Sequence, residues 1–487
     1  MLEGPTPPSV LRPKMTVPLR SLHDLKRPLH ALEAAAIRRQ LARPEEVHQP
    51  LLDGLRYVLS FARLGVIRNE DGLDVEVAGF LARHREHVTA TLTPHLTGRD
   101  ETLWGAIREL PALVAATRAR RAELLEHFEV DRGSLEAEVT TRQLVIASGG
   151  GGGGGYGYAG AFRTLHRAGL QPELLSGTSI GALMSMFRAR LLPFDGAPLV
   201  AAARRLSWSS VFRVLDIDSR YGIPASLRLY LRSALGSLFE VEDGRQMTFN
   251  DTAIPLLIVT TGITVDALRH DLTYYEHFLD DAVRPGVVFK ASRLRRLARL
   301  VDVLRDFVAQ PDALREIVFG AEPETMDADI LDAAGFSAAV PGVIHYDVLR
   351  EDQRMRHLLD RLYAEYGITR LTEGGLVNNV PARPAFDEVM KGRIGRRNPF
   401  VLAMDCFSPT PRTLQWLPIQ QVVRPNVRAN LEYADLYFPM DKRLSPMNLV
   451  PNVQMVGEAM RWTSEELAPH IPFIQENCRT LAVLRDA

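Results

Sequence analysis

Gly177-Thr178-Ser179-Ile180-Gly181 reads G-x-S-x-G. That spacing suits a strained strand-to-helix turn, where a serine hydroxyl is presented as a nucleophile and flanking glycines allow close backbone approach. The apolar pair Leu174-Leu175 precedes the turn, and a helix is predicted over residues 182–190. Free N–H groups at the start of that helix favour negative charge developing beside Ser179. Upstream, the glycine run 149–155 follows the apolar segment 144–147. Unhindered N–H groups in such a loop can form an anion-binding nest. Together these residues suit acyl transfer to a serine, with the oxyanion held by backbone.

Two phosphate-binding readings of the glycine run are weaker. A Walker loop ends in Gly-Lys-Ser/Thr, whereas Tyr156-Gly157 stands here. A dinucleotide fingerprint places an acidic residue at the end of the second strand, and Glu173 lies before it. Between the two strands, Ala161, Phe162, Leu165 and Leu170 fall near helical spacing, with Arg163, Thr164, His166 and Arg167 on the other side. Residues 144–186 thus read as strand, glycine loop, helix, strand, sharp turn and helix.

In this order the residues resemble the patatin-like phospholipases, whose signature is a G-G-G-x-R/K-G loop, a G-x-S-x-G elbow and a later D-G-A/G. Gly150, Gly151, Gly152 and Gly155 take the loop glycines, Gly160 the glycine of the following helix, and Ser179 the nucleophile. Residues 247–249, 254–261 and 333–343 look like the family's middle segments, and Glu373-Gly374-Gly375 with Asn378, Asn379 and Pro381 looks like its third motif. The resemblance covers roughly residues 144–407. It implies an α/β fold, a patatin-like three-layer α/β/α core with a central, mainly parallel sheet, to which the composition of the preceding residues adds an N-terminal helical region. It also implies a Ser179–Glu373 dyad, an oxyanion hole from Gly150, Gly151, Gly152, Gly153 and Gly155, and support from Gly177, Gly181, Gly374, Gly375 and Asn379. The implied activity is serine hydrolysis of lipid acyl esters, such as phospholipids, lysophospholipids or glycerides, without metal or cofactor.

Two positions depart from the family pattern. The basic loop residue falls on Gly154, and the base aspartate is Glu373. One extra methylene moves a carboxylate by about 1.5 Å, and misplacements near 1 Å can cost about 100-fold in rate. The alternative function is therefore a catalytically weakened lipid-binding or regulatory module. A second catalytic assignment uses Asp405 and His470, which follow Ser179 in the order of α/β-hydrolases. It leaves the Glu373 motif unexplained and lacks a strand-rich lead-in.

The chain of 487 residues is long for one small domain, and 46% hydrophobic residues give ample core material. With 58 basic against 59 acidic residues, bulk charge predicts no nucleic-acid partner. Cys406 and Cys478 are far apart, which argues against a disulfide framework or zinc site and suits a reducing cytoplasm. The Pro-rich residues 1–22 are expected to form a disordered arm. Residues 23–140 read as a helical accessory domain, punctuated by Gly54, Gly65, Gly72, Gly79 and Pro111, in which His84 and His87 lie on a solvated face. Residues 141–407 form the catalytic domain and 408–487 an extension packed on it. Within the catalytic domain, an insertion at about 280–327 contains a basic amphipathic helix over 292–310, suited to a membrane surface or a lid. No stretch reads as a bilayer span, so peripheral membrane contact is the expectation.

Overall fold

The computed structural model describes residues 17–98, 102–214, 220–223, 225–264, 311–411 and 416–485. The chain divides into two compact units, one formed by 1–142 with 389–398 and 476–487, the other by 143–388 with 399–475.

The first unit is helical. Helices Leu19–Ala42, Gln49–Ala62, Ala82–Leu96, Trp104–His127 and Arg132–Thr140 accompany a small antiparallel pair, Val66–Arg68 with Asp74–Glu76. The first helix starts at Leu19, ahead of the expected boundary at His23. Gly54 and Pro111, read as punctuation, instead lie inside helices. His84 also differs from the expected solvated histidine. It is buried, its ring lies edge-on to Phe61, and burial lowers its pKa to about 4.

The core of this unit contains an ionic hub. Glu33 is fully buried, and the guanidinium groups of Arg56, Arg63 and Arg142 all reach its carboxylate. They hold Glu33 far below the usual carboxylate range despite its burial. Arg56 also donates to Asn477 O at 3.1 Å and Arg63 to Asn398 Oδ1 at 3.0 Å. The hub therefore fastens two sequence-distant segments to the N-terminal helices.

The second unit is built on a seven-stranded sheet. Its parallel centre runs Leu256–Thr264, Leu174–Thr178, Gln143–Ser148, Pro399–Asp405, Leu436–Pro439. Ile368–Thr372 and Leu314–Phe319 each pair antiparallel with Leu256–Thr264. The central strands are buried along almost their whole length, which explains why Leu, Ile and Val run together without polar alternation. A second sheet joins Phe212–Val214, Ala225–Leu229 and Gly342–His345. The apolar spacing of Leu227, Tyr230, Leu231 and Leu235 predicts a helix, yet Leu227 lies in a strand and among these residues only Leu231–Leu235 is helical. Helix Tyr158–Arg167 packs backbone to backbone on helix Val453–Leu467 at Gly160, where a Cβ would stand 2.0 Å from Met460 O. The expected basic helix at 292–310 lies outside the described residues. The described end of that insertion supplies the strand Leu314–Phe319.

Glu33→Gln removes the carboxylate that three buried guanidinium groups share. It should shift the urea midpoint of this unit's transition by the equivalent of about 3–5 kcal/mol without changing the slope. A loss below about 1 kcal/mol would contradict the hub's role.

Candidate active site

The sheet register brings the two expected reacting residues together. Leu174–Thr178 runs parallel to Leu256–Thr264 until Thr178 lies opposite Val259. Ile368–Thr372 runs the other way along that same strand until Thr372 lies opposite Thr261. The next residue on each, Ser179 and Glu373, therefore converges beside Thr260. The Ser179 hydroxyl donates to Glu373 Oε2 at 3.1 Å. Glutamate fits this loop as it stands, and its additional methylene does not carry the carboxylate past the serine.

Ser179 has φ 55° and ψ −127°, the one positive φ outside glycine among the described residues. Such a conformation costs on the order of 1–3 kcal/mol and persists only where the surroundings impose it. The Ser179 N–H donates to Ser337 Oγ at 2.8 Å, and the Ser337 hydroxyl donates to Val259 O at 2.6 Å. Thr178 Oγ1 donates to Asn378 O at 2.9 Å. Gly181 and Gly177 let strand, loop and helix backbones touch. A Cβ on Gly181 would stand 2.1 Å from Ser148 O, and one on Gly177 would stand 2.6 Å from Ala182 Cα. Helix Ile180–Ala189 starts directly at Ser179 and points its N-terminus at the site.

The glycine loop is more selective than its sequence suggested. The Gly150 N–H donates to Asn379 O at 3.0 Å and the Gly153 N–H to Pro446 O at 3.1 Å, so these two expected oxyanion donors are already engaged. Gly155 sits against Ile180, where a Cβ would stand 2.4 Å from Cγ2. The N–H groups of Gly151 and Gly152 donate to no backbone carbonyl among the described residues. Gly152 adopts φ +55°, and a Cβ there would stand 2.2 Å from Pro446 O. Only glycine satisfies both constraints. At Gly154, where the family's basic residue is missing, a Cβ would stand 3.3 Å from Arg443 Cδ.

Glu373 is 8% exposed and Ser179 7%. The carboxylate accepts from Ser179 and, at 3.3 Å, from the Gly375 N–H. No cation contributes to its shift; burial raises its pKa to about 8 while the two hydrogen bonds oppose that rise. Its backbone is fixed by Glu373 N–H to Ala339 O at 2.9 Å and Thr261 Oγ1 to Glu373 O at 2.7 Å. Gly374 leaves the turn room against the sheet, because a Cβ there would stand 2.2 Å from Val259 O. Gly150 and Gly375 face the dyad. A Cβ on Gly150 would stand 3.0 Å from Ser179 Cβ, and one on Gly375 would stand 3.2 Å from Glu373 Oε1.

Asn426 and Asn430, on helix Leu417–Leu431, were not singled out by sequence reasoning. Their signal is slight: two amides one turn apart. Asn430 is buried and takes Asn378 Nδ2 at 2.9 Å, while Asn426 accepts from the Asn379 N–H at 3.1 Å. The alternative pair does not assemble. Asp405 accepts from the Phe407 N–H and the Tyr437 hydroxyl, and the His470 ring packs edge-on to Phe438. Asp329, Asp332 and Asp352 come close enough to suggest a metal cluster. Arg232 lies among all three carboxylates, so the chain's own guanidinium supplies the counter-charge.

A base must be ionised to accept a proton, so labelling of Ser179 by a fluorophosphonate should accelerate as pH rises through about 8. Glu373→Gln should remove that dependence. The sign reverses for stability. The folded pKa exceeds the unfolded value of 4.5, so this group's contribution is full below pH 4.5 and lost as pH rises to about 8. Relative to wild type, Glu373→Gln should therefore melt higher at pH 9 than it does at pH 4. A labelling rate already half-maximal near pH 4.5 would contradict the burial argument.

No curated protein compared with this chain matches it. The family model described as patatin-like phospholipase matches residues 146–386, a span that runs from the strand before the glycine loop to the helix after Pro381 and includes both Ser179 and Glu373. With it comes the α/β/α arrangement of which the mainly parallel sheet is the middle layer. Residues 146–386 form a patatin-like phospholipase domain.

Proposed function

We propose that this protein hydrolyses lipid acyl esters through a Ser179–Glu373 dyad. The observation that carries the reading is the 3.1 Å hydrogen bond from the Ser179 hydroxyl to a buried, cation-free carboxylate at a strained elbow. Glu373 takes the hydroxyl proton as Ser179 Oγ attacks the ester carbonyl. The N–H groups of Gly151 and Gly152, with the N-terminus of helix Ile180–Ala189, stabilise the tetrahedral oxyanion. Collapse of the intermediate expels the alcohol, which takes the proton held by Glu373. Water then attacks the acyl-enzyme with Glu373 again as base, releasing the fatty acid and restoring the serine.

Lipid esters sit in membranes or micelles, so the protein must meet its substrate at a surface. Among the described residues no helix is long and apolar enough to cross a membrane. Peripheral contact from the cytoplasmic side fits Cys406 and Cys478, neither of which is joined in a disulfide.

Hydrolysis of short-chain and long-chain nitrophenyl esters tests the reading. Ser179→Ala should abolish turnover and fluorophosphonate labelling, and Glu373→Ala should lower both. Glu373→Asp withdraws the base by about 1.5 Å and should lower kcat about 100-fold. An inactive wild type that gains turnover as Glu373→Asp would identify a lipid-binding or regulatory module instead.

A further inference from the structure

We infer that Asn426 is a positioning residue for Glu373, holding the carboxylate turn and the glycine loop together from a helix outside the family match; the inference rests on Glu373 acting as the base for Ser179. Asn426 lies on helix Leu417–Leu431, beyond residue 386 where the match ends. Its Oδ1 accepts from the Asn379 N–H at 3.1 Å, and its Nδ2 donates to Gly375 O at 2.9 Å and Leu376 O at 3.2 Å. All three hydrogen bonds fall on the turn that follows Glu373, and one orientation of the amide satisfies them together.

Two of these partners, Gly375 and Asn379, bear on the dyad. The Gly375 N–H is the second donor to the Glu373 carboxylate. The carbonyl of Asn379 receives the Gly150 N–H, and Gly150 is packed against Ser179 Cβ. One amide thus fixes the carboxylate turn on one side and the start of the glycine loop on the other. Asn430, one helical turn on, secures the arrangement. Its Oδ1 accepts from Asn378 Nδ2 and from the Arg383 N–H, and its Nδ2 donates to Asn426 O at 2.9 Å. These bonds tie the segment that follows Glu373 to the helix, beside a carboxylate whose pKa burial raises.

Asn426→Ala and Asn426→Asp separate positioning from structural support. The alanine removes all three hydrogen bonds and admits water to the turn. It should lower kcat on nitrophenyl esters by about 10–100-fold with KM changed less than about 2-fold, and move the acid limb of kcat/KM to lower pH. The aspartate is nearly isosteric and still accepts from the Asn379 N–H. It cannot donate to the two carbonyls and adds negative charge near Glu373, so its acid limb should move to higher pH. Opposite displacements of the limb support the inference. Variants with lower melting temperatures but wild-type kcat per folded molecule and a wild-type limb would overturn it. Ser179→Ala, assayed alongside, reports on the dyad separately. Turnover that survives Ser179→Ala removes the underlying reading, whereas its loss combined with unchanged Asn426 variants removes this inference alone.

Discussion

Two strands running toward each other along Leu256–Thr264 leave a gap of one residue, and the dyad occupies it. Parallel pairing fixes where Thr178 stops, antiparallel pairing fixes where Thr372 stops, and a one-residue slip in either would turn the next side chain to the other face. Much of the surrounding structure serves that register. Thr178, Thr261, Thr372 and Ser337 are buried, and each directs its hydroxyl to a backbone carbonyl near the junction. The serine at positive φ is then imposed by its neighbours, which is how local strain survives in a folded chain.

The buried carboxylate follows from the same convergence. Glu373 has a hydroxyl and one peptide N–H as partners, and neither carries charge. Elsewhere the molecule treats buried acids differently. Glu33 is surrounded by three guanidinium groups and stays ionised, and Asp329 and Asp332 share Arg232. A carboxylate left without a cation is poised to gain or lose a proton near neutral pH, which Glu33, held far below the usual range by its guanidinium partners, is not.

The elements that carried a local signal were legible in the sequence. The apolar runs 144–147 and 174–175 became the strands Gln143–Ser148 and Leu174–Thr178, and the G-x-S-x-G became a sharp turn at positive φ. Long-range hydrogen bonding was not legible. Seven glycines look equivalent in sequence, yet Gly150 and Gly153 spend their N–H groups on Asn379 and Pro446, and only a carbonyl more than two hundred residues away decides this. His84 read as solvated because its buried neighbours, Phe61 and Thr117, lie on other helices. Leu227 followed helical spacing, but its pairing with Ile344 made it a strand residue. Propensity and period are local quantities, and tertiary pairing outweighed them at these positions.

The loop from Ser445 to Asn448 lies against Gly152 and Gly153, closer than a side chain on either glycine would permit. The backbone that shapes the glycine loop therefore includes a turn nearly three hundred residues downstream, well past the last residue of the family match. The folded boundary of the chemistry and the boundary of the recognisable motifs are different places in this chain. A fragment ending at Phe386 would keep every signature residue yet lose the Pro446 carbonyl, so engineering by domain exchange would have to carry the C-terminal segment together with the motifs.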